Sequence, residues 1–161
     1  MPQPYVDAAL RARAERGASA FGTIQTVLVW RLTNGKAHVS DVTNASRTLL
    51  YDIDRRQWSA ALAELFGLCI ARYPEVREPS ARFGETNVEG VLPRPVPICG
   101  ILGDSQGALL AQRCFAPGST KVTFGSGSSL LMTLGESSVR VQSSVTALAW
   151  QHDGLPTYAL E

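Results

Sequence analysis

Residues 97–111, PICGILGDSQGALLA, constrain the fold of this chain more than any other stretch. An apolar run of strand length stops at Gly103-Asp104, and apolar residues then recur at helical spacing. Strand, turn and helix in that order form the repeating unit of an α/β protein. Gly103 lets the backbone turn without a Cβ. The helix is predicted to carry Ala108, Leu109, Ala111, Gln112 and Phe115 on its periodic positions, with Pro117-Gly118 as its stop and Asp104 or Ser105 as its N-cap. A carboxylate at the C-terminal end of a strand in such a sheet faces the usual ligand crevice. Asp104 can therefore act as a general base, hold a Mg²⁺ through water, or cap its helix, and the residues alone leave these open.

Upstream, the chain reads as helical and irregular. Tyr5–Arg16 is a polar amphipathic start. FGTIQTVLVWRLTNG places Ile24, Val27, Leu28 and the Trp30–Leu32 turn at helical spacing, with Asn34-Gly35 ending the segment. Trp58 to Phe66 is predicted as a second helix, with Leu62, Leu65 and Phe66 on one side. YPEVREPSARFGET reads as loop or irregular strand, and VLPRPVP, with Pro93, Pro95 and Pro97, as a stiff crossing between two parts. Beyond it, Val122 and Phe124 lie in one predicted strand and Leu130 to Leu134 in the next, joined by a Gly125–Ser129 turn. A further hairpin is expected around His152-Asp153-Gly154. The chain ends while still strand-like, as a piece of a larger unit would.

The turn Gly125-Ser126-Gly127 offers N–H groups and a hydroxyl, which suit either phosphate oxygens or an ordinary hairpin. It is neither a GxxxxGK[ST] loop nor a GxGxxG fingerprint. Arg47 in TNASRT can clamp a substrate or tie down a loop. Ser105 stands outside any GxSxG context, which argues against a serine hydrolase. His38 and His152 lack the neighbours of a metal site, and Trp30, Trp58 and Trp150 read as core or interface anchors. Cys69, Cys99 and Cys114 are an odd number at spacings that fit neither zinc nor a disulfide framework. Buried reduced thiols, and so a cytoplasmic location, are expected. A formal net charge of +1 gives no reason to expect nucleic acid or a membrane surface as partner.

Three blocks carry a resemblance. FGTIQTVLVWRLTNGKAHVSDVTNASRTLLYDI, PEVREPSARFGET and PICGILGDSQGALLAQRCFAPGSTKVTFGSGSSLLMTLG occur in order and at fitting spacing, followed by TALAW and YALE. The sequence resembles an internal piece of the FGGY carbohydrate kinase family, of glycerol kinase-like type, from about Gly17 onward. The resemblance implies an α/β chain with a partial ribonuclease H-like (actin-like ATPase) fold, incomplete at both ends. It implies that residues 1–95 close the first domain and residues 96–161 open the second. It implies transfer of the ATP γ-phosphoryl group, with Mg²⁺, to a hydroxyl of a small polyol or sugar.

Asp104 falls on the family's catalytic aspartate, which accepts the hydroxyl proton. Gly125, Ser126 and Gly127 fall on a glycine-threonine-glycine turn near the ATP phosphates, with Ser126 keeping a hydroxyl. Ser105 and Ser129 occupy positions where glycerol kinases carry a substrate-contacting glutamine and an aromatic wall, so a substrate larger than glycerol is expected. The first phosphate loop, an upstream Arg-Glu pair and the adenosine segment of the family are absent from these 161 residues. The chain alone is therefore expected to be inactive. A non-catalytic binding or oligomerisation module derived from such a kinase, and homo-oligomer formation, are the alternatives the resemblance leaves.

Overall fold

The computed structural model describes residues 8–68, 72–125 and 127–161. Cys69, Ser126 and the start of the Tyr5–Arg16 segment lie outside the described residues. Helix α1 (Ala8–Glu15) leads to α2 (Ile24–Leu32), whose bounds match the periodicity. Thr23 caps α2, and Asn34 and Gly35, both at positive φ, end it. Strand β1 (Val39–Asp41) runs directly into the short helix α3 (Val42–Ser46). The pair β2 (Tyr51–Asp52) and β3 (Gln57–Trp58) precedes α4 (Ala60–Leu65). Strand β4 (Glu75–Arg77) pairs in parallel with β1, and β5 (Gly84–Thr86) pairs antiparallel with β6 (Val96–Ile98). After α5 (Asp104–Ala111), β7 (Thr120–Phe124), β8 (Ser128–Gly135), β9 (Thr146–His152) and β10 (Leu155–Leu160) form one antiparallel sheet in the order β7-β8-β10-β9.

Both predicted hairpins are present. Asp153 and Gly154 have φ of 49° and 78°, the double positive φ that suits strand twist in a two-residue turn. The other turn is tighter than expected: Phe124 pairs with Ser128, so Ser129 lies in β8, opposite Thr123. Helix α4 is shorter than predicted because Trp58 is held in the β2–β3 pair and Ser59 accepts from Leu62 N at 3.2 Å as N-cap. Its expected apolar face is outside: Leu65 is 77% exposed, and Ala63 is the buried residue.

The core ties the two ends of the chain together. Val42 and Ala45 of α3, with Tyr51 and Ile53, pack against Leu148 of β9 and Tyr158 of β10. A second cluster joins Leu109 and Cys114 to Leu131, Ala149 and Ala159, and a third joins Val29, Val39 and Phe83. Trp58 stacks on Tyr73, meets Phe21 and Tyr51 edge-on, and donates from its indole to Pro74 O at 2.8 Å, as an anchor should. Glu78 accepts from Gly154 N at 2.6 Å, Asp153 N at 3.1 Å and Gln151 Nε2 at 3.2 Å, so the first half of the chain holds the β9–β10 turn.

Other apolar faces are bare. Ile24 is 91% exposed and Phe124 84%, so the stripe predicted for α2 is turned outward while Thr26 and Val29 go in. Of the thiols, Cys114 is buried and Cys99 is exposed, against the expectation for the latter.

Truncating Leu148 to alanine should cost ~2–5 kcal/mol of unfolding free energy, because its site is closed on all sides. Ile24→Ser should stay within about 0.5 kcal/mol; urea denaturation distinguishes the two. Burial also pushes the Tyr51 phenol up from 10.0 to about 12. A raised folded-state value means stability is full below pH 10 and is lost as pH rises from 10 through 12. Tyr51→Phe should flatten that alkaline loss, read from urea midpoints at pH 8 and about pH 11.

Candidate active site

The buried carboxylate of Asp41 organises the site from below. Asp41 has no exposed surface and ends β1 as the N-cap of α3. Its Oδ2 accepts from Thr43 N at 2.9 Å and from the Thr43 hydroxyl, and its Oδ1 accepts from Asn44 Nδ2 at 2.6 Å and Asn44 N at 3.4 Å. A buried carboxylate is tolerated only with its oxygens satisfied in this way. The Thr43 oxygen, oriented by that donation, accepts from Gly103 N at 2.8 Å. This fixes the residue before Asp104 across 60 positions of sequence.

Gly103, not Asp104 or Ser105, is the N-cap of α5, and it makes no side-chain capping bond. Asp104 is the first helical residue, and five irregular residues separate it from the end of β6 at Ile98. A side chain at 103 would force Gln106 to shift, since its Oε1 would lie 2.5 Å from an added Cβ. Gln106 is buried and donates from Nε2 to Leu148 O at 3.4 Å, which links the start of α5 to the β9 core.

Asp104 is left exposed. One of its oxygens accepts from Ser105 N at 2.7 Å, and no cation pairs with it among the described residues. It lines a cavity of about 850 Å³ with Gln25, Asn44, Arg47, Ser105 and Glu161. Ile24, Leu28 and Ile98 give it apolar lining as well. Arg47 takes the tying role left open by its sequence context, pairing with Glu161 at 2.7 Å. Gln25 accepts from Ser40 Oγ at 2.9 Å through Oε1, while its Nε2 is buried without a partner.

Of the site residues expected from sequence, Asp104 and Ser105 meet in this cavity. Gly125, Gly127 and Ser129 do not line it. The turn at Gly125–Gly127 closes on itself through Gly125 N and Gly127 O at 3.0 Å, and a Cβ on Gly127 would meet only open space. Sequence reasoning passed over Asp41. Its signal is an Asp followed by Thr and Asn at a strand-to-helix junction, the composition of a side-chain cap. It also passed over Lys121, which is 1% exposed and donates to Thr123 Oγ1 at 2.6 Å. The ligand atoms of Glu78, His152 and Asp153 fall within 4.8 Å of one another, yet the Glu78 oxygens already serve the hairpin's donors. Those donors, Gly154 N foremost, hold the Glu78 carboxyl below its usual range. No described helix is long and apolar enough to cross a membrane.

A mixed α/β fold with a free carboxylate at a helix start, beside an open mixed polar and apolar cavity, defines a ligand-binding α/β domain. A sequence model of the FGGY family of carbohydrate kinases, N-terminal domain, matches residues 8–111, and the chain belongs to that family. It is 47% identical over 152 residues to a glycerol kinase of Roseobacter denitrificans, covering 94% of this chain and 30% of that one. It is 46% identical over 158 residues to a glycerol kinase of Xanthomonas campestris pv. campestris, covering 98% and 32%. Among solved structures, Plasmodium falciparum glycerol kinase with ADP superposes with a TM-score of 0.88 at 33% identity, over 96% of this chain and 31% of that one. A xylulose kinase from Brucella ovis shares the fold, with a TM-score of 0.72 at 23% identity, over 94% and 33%. The chain thus spans about a third of the length of these relatives, as a partial ribonuclease H-like fold.

Replacing Gly103 with alanine should displace Gln106 and cost ~1 kcal/mol through the lost bond to Leu148. At Gly107 an added Cβ meets only Leu102 Cδ2 at 3.8 Å, so Gly107→Ala should stabilise by ~0.5–1 kcal/mol. Opposite shifts of the urea midpoint would verify the pair.

Proposed function

We propose that the chain is a segment of an ATP-dependent carbohydrate or polyol kinase in which Asp104 is the proton acceptor. The observation that carries this reading is the exposed, unpaired Asp104 carboxylate, held at a fixed place on a cavity wall by the Asp41–Thr43–Gly103 bonds. A proton acceptor must be both accessible and positioned, and a hydroxyl in this cavity would meet Asp104 with Ser105 beside it. Bound Mg-ATP would supply the γ-phosphoryl group; the attacking oxygen would pass its proton to Asp104 as its bond to the γ-phosphorus forms and the bond from that phosphorus to the bridging oxygen breaks, releasing ADP. The turn of Gly125, Ser126 and Gly127 would hold the phosphates, since open space beside Gly127 admits an anion close to the backbone. Asp104 is the group of this chain that would reach Mg²⁺, through water.

The substrate class is a polyol or sugar larger than glycerol. Supporting it are the small Ser105 in the cavity and a volume of about 850 Å³. We place the boundary between the two family domains at residues 95 and 96, on the strength of Pro93, Pro95 and Pro97. The remaining two thirds of a full-length relative would cover the bare faces at Ile24, Leu28 and Phe124. The same faces favour a second reading, a non-catalytic or homo-oligomeric module that buries them against another copy. A cytoplasmic location without nucleic acid or membrane partners completes the proposal.

In a longer polypeptide carrying this segment, Asp104→Asn should lower kcat by about 10²–10⁴-fold in a coupled ADP-release assay while KM for ATP changes little. Five-carbon polyols should turn over faster than glycerol. The 161-residue chain alone should show no measurable turnover. Full activity of Asp104→Asn would refute the assigned role, and a glycerol preference would refute the substrate class.

A further inference from the structure

A second cavity, of about 470 Å³, lies on the other face of α2 and shares no lining residue with the Asp104 cavity. Its lining residues are the segment Gly17–Gly22 together with Trp30, Lys36, His38 and Arg72. No carboxylate lines it among the described residues. Lys36 and Arg72 are exposed and hold no acidic partner among the described residues, whereas Arg47, Arg77, Arg82 and Arg140 each hold one. His38 donates from Nε2 to Phe21 O at 2.8 Å, which fixes its ring and leaves Nδ1 unengaged. Phe21 N is itself committed to Arg72 O at 2.9 Å, so the loop and the arginine's backbone are joined. The backbone N–H groups of Ser19, Ala20 and Gly22 on the same loop make no hydrogen bond among the described residues.

Two unpaired cations, free loop amides and a half-exposed indole around one concavity give an anion-binding set with an apolar platform beside it. We propose that this cavity binds a small organic phosphate monoester, with its phosphate on Lys36, Arg72 and the Gly17–Gly22 loop and its flat or apolar body on Trp30. The indole is 49% exposed, and its ring atoms lie 3.5 Å from where a Cβ on Gly35 would stand. The cations give charge-assisted hydrogen bonds, and the fork of Arg72 suits a phosphate bidentately. The site stands independently of the kinase reading, because no residue lines both cavities.

The test is a titration of the 161-residue chain with phenyl phosphate, followed by the three indole N–H signals in ¹H–¹⁵N NMR spectra and assigned with Trp30→Phe. A saturable shift of the Trp30 signal is expected, with Trp150 unmoved. The Lys36→Gln/Arg72→Gln double variant should bind about tenfold more weakly or worse. The single variant Arg72→Gln should be intermediate, and Asp104→Asn should bind as the wild type does. Both side chains are exposed and unpaired, so the variants should melt with the wild type, which separates lost binding from lost fold. Absence of a saturable Trp30 shift up to about 10 mM would overturn the proposal. So would equal binding by a folded double variant, or equal binding of benzyl alcohol in place of the phosphate.

Discussion

The structure depends on a carboxylate that solvent does not reach. Asp41 has both oxygens engaged by four donors from the two residues Thr43 and Asn44. Those bonds turn β1 into α3 within a single residue, because a side chain that satisfies the orphan N–H groups of a helix start fixes where the helix begins. They also orient the Thr43 hydroxyl so that its oxygen can receive Gly103 N–H. One buried group therefore sets a local helix and, 60 residues later, the start of another. Removing it would leave buried donors without acceptors, which costs more than the bonds contribute when intact.

Packing repeats the same connection. Val42 and Ala45, from the helix that Asp41 caps, are in the cluster with Leu148 and Tyr158, and Gln106 beside Gly103 donates to Leu148 O. Glu78 and the Arg47–Glu161 pair add polar ties between the halves of the chain. The Arg47–Glu161 pair is partly exposed and contributes ~0–1 kcal/mol, so the apolar cluster supplies the strength and the ion pair the registration. The outcome is a rigid floor with Asp104 standing free above it. A group that must accept a proton from a ligand needs that combination of a fixed backbone and an accessible side chain.

Local signals were readable from the sequence, and distant ones were not. Asn34-Gly35 marked the end of α2, and Asp153-Gly154 marked the last hairpin, because positive φ is written in residue type. The β7–β8 hairpin followed from alternation, although Ser129 was placed in the turn rather than the strand. The β1–β4 and β5–β6 pairs have three residues per strand, too few to show a period, and are specified by partners far away in sequence. The spacing of the α2 stripe gave its helix but not what covers it, because an apolar face shows that something packs there, not that this segment of chain does. For the site, the sequence placed Asp104 and Ser105 together. It missed Asp41, whose SDVTN context looks like an ordinary polar turn until its burial is seen.

The most direct test is hydrogen exchange of the Gly103 amide in the wild type and in Thr43→Val, which removes one hydroxyl and keeps the shape. If the Asp41–Thr43–Gly103 bonds set the position of Asp104, the Gly103 amide should exchange about tenfold faster in the variant while α2 amides keep their rates. An unchanged Gly103 rate in a folded Thr43→Val protein would show that the Asp104 helix is placed by something else.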